Sequence, residues 1–394
     1  MIIRLLVVLA LLFGFAPVYA ADSFEDFKKQ SIDGFKNSKG EFKEYKSDID
    51  EAFAKYKKIL DSEFSAYKSS IAGKWDDVEV STNTKWVEYL NDYRIRKVVD
   101  YDKQEIRIDV IGGSGADLKP VLKDLLTEDN ADAFRRDPVA FNTEKQLKIF
   151  TNDVLSDKVD DEQVLAGIFS KDKLTDREAD KLAGELLKGV KVNSNFSDKA
   201  GKPVASATIK LPKDTYISKA KKITPFVKSY SERFKLDPAV VMSVIYNESR
   251  FNPLAKSYVP AYGLMQIVPK SAGVDAIQFL EGKKKILAPS YLYNSENNVK
   301  IGTAYFHILY YRYFKSIKNP KSRLYCSIAA YNTGAGNVAY AFNKNNGGRY
   351  SVSKAAPVIN SMSPQRVYEY LKNNLRYAEA RRYIVKVTGK IKDY

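Results

Sequence analysis

An aromatic repeat of eleven residues near the N-terminus dictates a helix in that part of the chain. Residues 41–51, 52–62 and 63–73 align without gaps, with apolar steps of three, four and four residues. The recurring apolar side chains are Phe42, Phe53, Phe64, Tyr45, Tyr56, Tyr67, Ile49, Leu60 and Ile71. This spacing predicts an amphipathic helical segment within residues 21–74, with all nine side chains on one stripe. We expect the stripe to pack on the rest of the protein, on a second copy of itself, or on a membrane surface.

The first twenty residues have the features of a secretory signal. Arg4 supplies a basic start, and Leu5–Phe15 is an apolar run too short to span a bilayer comfortably. Val18-Tyr19-Ala20 fits a cleavage pattern loosely, so we predict that residues 1–20 are removed by a cut after Ala20 or Ala21. The alternative is an uncleaved membrane anchor.

Charge is distributed unevenly along the chain. Residues 1–212 carry a net charge of −4, whereas residues 213–394 hold 30 Lys/Arg against 10 Asp/Glu, a net of +20. Such a cationic module attracts polyanions. An exported protein meets wall polymers with free carboxylates and acidic lipid surfaces before it meets nucleic acid, which we do not expect as a partner. The alternative is a basic composition with no dedicated ligand.

Cysteine and histidine are almost missing from the sequence. Cys326 and His307 are the single examples of each. An internal disulfide and a cysteine-rich metal site are therefore excluded, and the scarcity of histidine argues against a histidine-based triad or a zinc site. We also expect no lipid anchor on a cysteine after the signal, and neither a metal nor an organic cofactor.

Residues 75–212 predict a small α+β domain. Arg94–Tyr101 and Gln104–Ile111 alternate as strands around a turn, and Val204–Leu211 resembles a third strand. The stretch 117–190 has a mostly helical pattern. We find no constellation of chemical groups in this region.

Residues 213–394 predict an all-α module, so that the whole chain is α+β. Strand signals disappear, and a capping residue precedes proline at Thr224-Pro225, Asp237-Pro238 and Ser363-Pro364. Proline is favoured at the first position of a helix, which places a helix start at each pair.

Glu248 is an isolated acid: the next acidic residue is Asp275. The helix that begins at Asp237-Pro238 should end close to Glu248, because Asn252-Pro253 follows. A helix C-terminus and apolar neighbours both disfavour negative charge, so they should raise the pKa of this carboxyl group. A protonated carboxyl group at neutral pH is what a general acid requires. The alternative is a surface glutamate that ends a helix.

Three further motifs accompany Glu248-Ser249. They are Gly263-Leu264-Met265-Gln266-Ile267-Val268-Pro269, Ala329-Ala330-Tyr331-Asn332, and Tyr383 within Arg381–Val387. With these four motifs in register, residues 213–394 resemble the lytic transglycosylases that have a goose-type-lysozyme-like catalytic fold. Among them the chain is most similar to the membrane-bound lytic murein transglycosylase C group, with a weaker likeness over Trp75–Ile111.

The resemblance implies a role for each matched residue. Glu248 would be the single catalytic acid and base. The implied substrate-binding residues are Ser257, Met265, Gln266, Tyr331, Asn332 and Tyr383, with Met265 and Gln266 lining the cleft and Tyr383 pointing its hydroxyl at Glu248. The implied structural residues are Ser249, Gly263, Gly334 and Gly336, the last two allowing a tight turn after Asn332.

The resemblance also implies the reaction. Peptidoglycan strands would be cleaved between N-acetylmuramic acid and N-acetylglucosamine, leaving 1,6-anhydromuramoyl ends without water. Two alternatives stay open: a hydrolytic muramidase on the same fold, if folding brings a second acid such as Glu296 near, and a non-catalytic wall-binding scaffold. The related group carries a lipidated cysteine that this chain lacks, and the aromatic stripe of residues 41–73 would replace it as a membrane or self-association element.

Overall fold

The structure is a computed structural model, and it describes residues 51–169, 171–194, 196–257 and 260–394. Helices dominate this part of the chain. The strands are β1 (Lys85–Leu90), β2 (Ile95–Asp100), β3 (Glu105–Ile111), β4 (Val154–Leu155), β5 (Val204–Lys210) and β6 (Ile286–Leu287). The α-helices are α1 (residues 51–72), α2 (Gly115–Thr127), α3 (Asn130–Arg136), α4 (Pro138–Phe150), α5 (Asp176–Leu186), α6 (Thr215–Phe234), α7 (Pro238–Ser249), α8 (Val274–Glu281), α9 (Pro289–Tyr293), α10 (Ser295–His307), α11 (Pro320–Thr333), α12 (Ala335–Phe342), α13 (Val352–Asn360), α14 (Pro364–Asn374) and α15 (Ala378–Lys390). Short π-helical turns occupy Pro269–Gly273 and Ile308–Tyr313, and short 3-10 turns occupy Lys344–Asn346 and Ile391–Asp393.

The aromatic stripe of α1 packs on the rest of the same chain. The buried members of the stripe are Phe53, Tyr56, Leu60, Tyr67 and Ile71, and the half-buried Phe64 packs against a core cluster that contains Trp75 and Val204. Tyr56 also donates a hydrogen bond of 2.9 Å to the hydroxyl of Tyr262. The buried members of the stripe are therefore not available to a membrane or to a second copy. The first part of the repeat, with Phe42, Tyr45 and Ile49, lies outside the described residues.

The four-stranded sheet has the order β1-β2-β3-β5, and each neighbouring pair is antiparallel. The three strands expected in residues 75–212 are confirmed as β2, β3 and β5, each one or two residues shorter than predicted. Strand β1 was not predicted. Its burial does not alternate, because Val87 on one face and Trp86 and Glu88 on the other are all buried, with Glu88 in ion pairs to Lys97 and Arg136.

Two expectations about residues 213–394 are corrected. Thr224-Pro225 does not begin a helix: α6 starts at Thr215 and runs through Pro225, and the Thr224 hydroxyl donates back to the carbonyl of Ala220 at 2.8 Å. The strand signal also does not vanish entirely, since Ile286–Leu287 pairs in parallel with Val154–Leu155. The other two helix starts are confirmed, with Asp237 and Ser363 capping α7 and α14.

Residues 75–212, called the sheet region below, contact the segment that follows Glu248 at several points. Arg250 donates to Asp102 at 2.9 Å, and Lys256 pairs with Asp137. Residues Phe53–Tyr394 form one compact unit, and the predicted boundaries at 74/75 and 212/213 fall inside it. Over the residues described, none of the helices has both the length and the apolar character needed to cross a bilayer.

Candidate active site

Glu248 lies in the last turn of α7. The helix begins with Asp237, whose carboxylate accepts from the amide of Ala239, and Pro238. It ends because Arg250 and Phe251 take up left-handed backbone conformations, with φ of 52° and 62°. Apolar residues are buried all around the middle of α7, at Val240, Val241, Met242, Val244 and Ile245. The carboxyl group therefore sits where an apolar helix meets a sharp change of chain direction.

Tyr383 is the hydrogen-bond partner of this carboxyl group. It stands on α15, is 7% exposed, and donates to Oε1 of Glu248 at 2.7 Å. Burial, together with the neighbouring Glu248, places the pKa of Tyr383 well above its ordinary value. The phenol thus keeps its proton and remains a donor.

The pKa of Glu248 is raised from 4.5 to about 7. Burial is the main cause, the hydrogen bond from Tyr383 opposes it, and the negative charge of Glu379 adds to it. The direction is the one expected from the sequence, but the contribution of Glu379 was missed. At neutral pH a carboxyl group with this pKa exists in both forms, so it can give a proton and take one back.

Ser249 links the end of α7 to the Gly263 turn. Its side chain is fully buried, and its hydroxyl donates to the carbonyl of Leu264 at 2.8 Å and lies 3.1 Å from that of Ile245. Both contacts of this hydroxyl are with backbone carbonyls of the protein itself.

Gly263 occupies a position that only glycine fits. Its φ is +74°, and an added Cβ would lie 2.2 Å from Nδ2 of Asn298 and 2.3 Å from the carbonyl oxygen of Leu292. Asn298, which is fully buried on α10, accepts from the amide of Met265 and donates to the carbonyls of Tyr262 and Leu292, each at 2.8 Å. The sequence analysis did not identify Asn298. The signal that could have found it is an amide side chain among the mostly apolar buried positions of α10.

Met265 and Gln266 differ in exposure, which corrects one prediction. The side chain of Met265 is fully buried, with its sulfur against Gly302, so it does not line an open cleft. Its backbone carbonyl instead accepts from the hydroxyl of Tyr331 at 2.8 Å. Gln266 is half-buried, and its amide donates to the carbonyl of Gly263 at 3.0 Å.

Tyr331 and Asn332 lie at the end of α11. The ring of Tyr331 packs against Tyr305 and Phe306, with centroids 5.7 and 6.0 Å apart. Burial, followed by the charge of Glu248, holds the pKa of Tyr331 well above its usual value, which places this ring in the electrostatic environment of the acid. Asn332 directs its amide to Glu379 at 3.3 Å.

Of the two glycines expected to make the turn after Asn332, one does so. Gly334 ends α11 with a φ of +84°. Gly336 does not turn the chain: it lies within α12, where a Cβ would meet the ring of Tyr350 at 3.4 Å. The turn prediction for Gly336 was therefore wrong, because this residue has helical backbone without a positive φ.

Ser257 and Asn83 bring the sheet region to the site. Ser257 is half-buried, its amide donates to the carbonyl of Ala261 at 3.1 Å, and it lines a cavity shared with Asn83. Asn83 precedes β1 and donates to the backbone carbonyl of Glu248 at 2.9 Å. Residues 75–212, where the sequence showed no constellation of chemical groups, thus supply an amide that contacts the backbone of Glu248. Glu296 is not the acid that influences Glu248; it accepts from Tyr230 at 2.8 Å.

Comparisons with known proteins agree with the resemblance read from the motifs, and the matching family model spans three of the four. A family described as "Transglycosylase SLT domain" matches residues 225–353. A protein of Klebsiella pneumoniae subsp. pneumoniae named membrane-bound lytic murein transglycosylase C is 32% identical over 321 residues, which cover 78% of this chain and 81% of the relative. A protein of the same name from Serratia proteamaculans is 38% identical over 191 residues, or 48% of this chain and 51% of the relative.

Among solved structures, the 70 kDa soluble lytic transglycosylase of Escherichia coli is similar at 17% identity and a TM-score of 0.34, over 70% of this chain and 42% of that one.

Proposed function

The chain belongs to the membrane-bound lytic murein transglycosylase C family, and we propose that it cleaves peptidoglycan with Glu248 as its single acid and base. The activity class, lytic transglycosylase, follows from family membership. The assignment of roles to residues is our proposal. The observation that carries it is the 2.7 Å contact between Tyr383 and a Glu248 whose pKa is about 7.

The reaction would begin with the proton of Glu248. The carboxyl group protonates the glycosidic oxygen between N-acetylmuramic acid and N-acetylglucosamine, and the bond from C1 to that oxygen breaks. Positive charge develops on the muramic ring, where the acetamide of the sugar can assist. The charge left on Glu248 is stabilised by the hydroxyl of Tyr383.

Glu248 would then act as a base. It removes the proton from the C6 hydroxyl of the same muramic acid, and O6 forms a bond to C1. The carboxyl group is thereby restored, and the product carries a 1,6-anhydro ring. An internal nucleophile has a high effective molarity, so it competes well with water.

The remaining residues are proposed to hold the substrate or the site. Ser257, Gln266, Tyr331 and Asn332 would orient sugars from the two sides of Glu248. Met265 is proposed to act through its carbonyl, which anchors Tyr331. Ser249, Gly263 and Gly334 would fix the backbone. We also propose a lysozyme-like arrangement for residues 213–394 and export through the N-terminal segment. Since the stripe of residues 53–71 is buried, we propose no membrane role for it.

Product analysis tests the reaction. Mass spectrometry of muropeptides released from purified peptidoglycan should reveal anhydro ends, which are lighter by one water than the reducing ends left by a hydrolytic muramidase. Reducing ends alone would reject the transglycosylase mechanism.

A second experiment tests the scaffold alternative. Glu248→Gln keeps the shape of the side chain and removes the acid, so lysis should fall by about 10²- to 10⁴-fold while binding to the wall is retained. Undiminished lysis would reject Glu248 as the catalytic residue.

A further inference from the structure

A cavity of 610 Å³ lies between the repeat helix α1 and the segments that flank Glu248. One wall comes from α1, with Lys57, Phe64 and Lys68. The opposite wall comes from Ser81–Asn83 and from Lys256-Ser257. Ligand pockets typically measure about 300–1,000 Å³, so this cavity has room for a short peptide or a disaccharide.

The cavity adjoins the candidate active site. Asn83, which lines it, is hydrogen-bonded to the backbone of Glu248 at 2.9 Å. Ser257, which also lines it, is the serine proposed to orient sugar. The cavity is thus connected to the candidate active site through Asn83 and Ser257.

The charge of the cavity is positive. It is lined by three lysines, Lys57, Lys68 and Lys256, and one acid, Asp61. Lys57 pairs with Asp61, but both side chains are more than half exposed, and exposed ion pairs of this kind are weak and easily exchanged. Lys68 lies over the ring of Phe64 at 4.7 Å, and Lys256 pairs with Asp137.

Lys57 and Lys68 are separated by one period of the eleven-residue repeat. Eleven residues make three helical turns, so both lysines lie on the same side of α1. The tyrosine that precedes each of them, Tyr56 or Tyr67, is buried in the core. The buried tyrosines of the repeat thus hold α1 in place, and the lysines that follow them line the cavity.

We propose that this cavity binds the carboxylates of the peptide stem that is attached to muramic acid, with Lys57 and Lys68 as the main cationic contacts. The proposal rests on the proposed function, because it assumes that a peptidoglycan strand occupies the cleft at Glu248. Hydrogen bonds from these lysines to the stem carboxylates would then favour a muramic acid that carries a stem over one that does not. The aromatic stripe, which the catalytic chemistry does not use, acquires a role in substrate selection.

The test compares two substrates and two variants. The substrates are intact peptidoglycan and the same glycan after enzymatic removal of its stems; the second retains only the lactyl carboxylate of each muramic acid. The variants are Lys57→Gln/Lys68→Gln and a control of equal charge change, Lys58→Gln/Lys173→Gln, at exposed lysines outside the cavity lining. The readout is the rate of formation of anhydro ends at low substrate concentration.

We expect the cavity variant to be about fivefold slower than the unmodified protein on intact peptidoglycan and unchanged on the stripped glycan. The control variant should match the unmodified protein on both. The fivefold difference should shrink as salt is added, because the contacts are solvent-accessible.

An equal loss on both substrates would assign the lysines to the sugar, which the two substrates share, and overturn the proposal, as would no loss on either. Failure of the proposed function is distinguishable, since the unmodified protein would then produce no anhydro ends from either substrate.

Discussion

The hydroxyl of Tyr383 lies 2.7 Å from Oε1 of Glu248 and joins the last long helix, α15, to the C-terminal turn of α7. The two groups influence each other in opposite directions. Glu248 raises the pKa of Tyr383, and the hydrogen bond from Tyr383 lowers the pKa of Glu248. Burial exceeds this lowering, which leaves the acid at about 7.

Tyr383→Phe should change both the rate and its pH dependence. Without the donor, the pKa of Glu248 should rise above about 7, because the hydrogen bond that favours the carboxylate is lost. The alkaline limb of the rate profile should therefore move to higher pH, and the maximal rate should fall about tenfold or more, as expected for a hydrogen bond to a charged group.

The control for this change is Tyr377→Phe, at a tyrosine that is 49% exposed just before the same helix. It should leave the profile as it is. A Tyr383→Phe profile with an unmoved alkaline limb would show that the phenol does not tune the acid.

The raised pKa of Glu248 predicts a cost in stability that depends on pH. The unfolded chain ionises this group near 4.5, whereas the folded chain does so near 7. Folding therefore binds an extra proton between these values, and the free energy of unfolding falls as pH rises from about 4.5 to about 7. Above that window the loss is constant, at about 3 kcal/mol at most.

Glu248→Gln removes this cost, because glutamine does not titrate. Its melting temperature should exceed that of the unmodified protein at pH 8, and the difference should narrow towards pH 4. Calorimetry across this range gives the measurement. A difference that is the same at every pH would contradict the assigned pKa.

Local signals in the sequence predicted much of the fold and part of the site. Strands β2, β3 and β5 follow from alternation, and the starts of α7 and α14 follow from a capping residue before proline. The raised pKa of Glu248 also follows locally, since a carboxyl group at the end of an apolar helix loses water wherever the helix is packed.

What the sequence did not predict depends on contacts between distant positions. Asn83 is 165 residues from Glu248, and no pattern around it indicates that its amide reaches the carbonyl there. The same holds for Glu379, whose charge acts on Glu248 from α15. Met265 was expected in the cleft because its motif surrounds the site, but burial under Gly302 is a property of packing that the motif does not encode.

Gly263→Ala should be strongly destabilising. The new Cβ would overlap Asn298 and the Leu292 carbonyl, and the φ of +74° disfavours any side chain. Together these effects should lower the free energy of unfolding by about 3 kcal/mol or more. Gly282→Ala is the matched control, because its φ is +72° and no atom lies within 4 Å of an added Cβ. The control should lose about 1–2 kcal/mol. Equal losses in denaturant unfolding would mean that Asn298 does not confine the turn.

Asn83→Ala should impair catalysis more than stability. The amide of Asn83 is half-buried and holds the carbonyl of Glu248 at 2.9 Å, so its loss should let the end of α7 shift against the sheet region. A net hydrogen bond of this kind contributes about 1 kcal/mol to folding, whereas a small displacement of a catalytic group can cost up to about 10²-fold in rate. We expect a fall in kcat of about tenfold with a change in melting temperature of only a few degrees. Asn152→Ala, which removes an exposed amide outside the cavity lining, should leave kcat unchanged. If Asn83→Ala reduces kcat no more than Asn152→Ala does, residues 75–212 do not position Glu248.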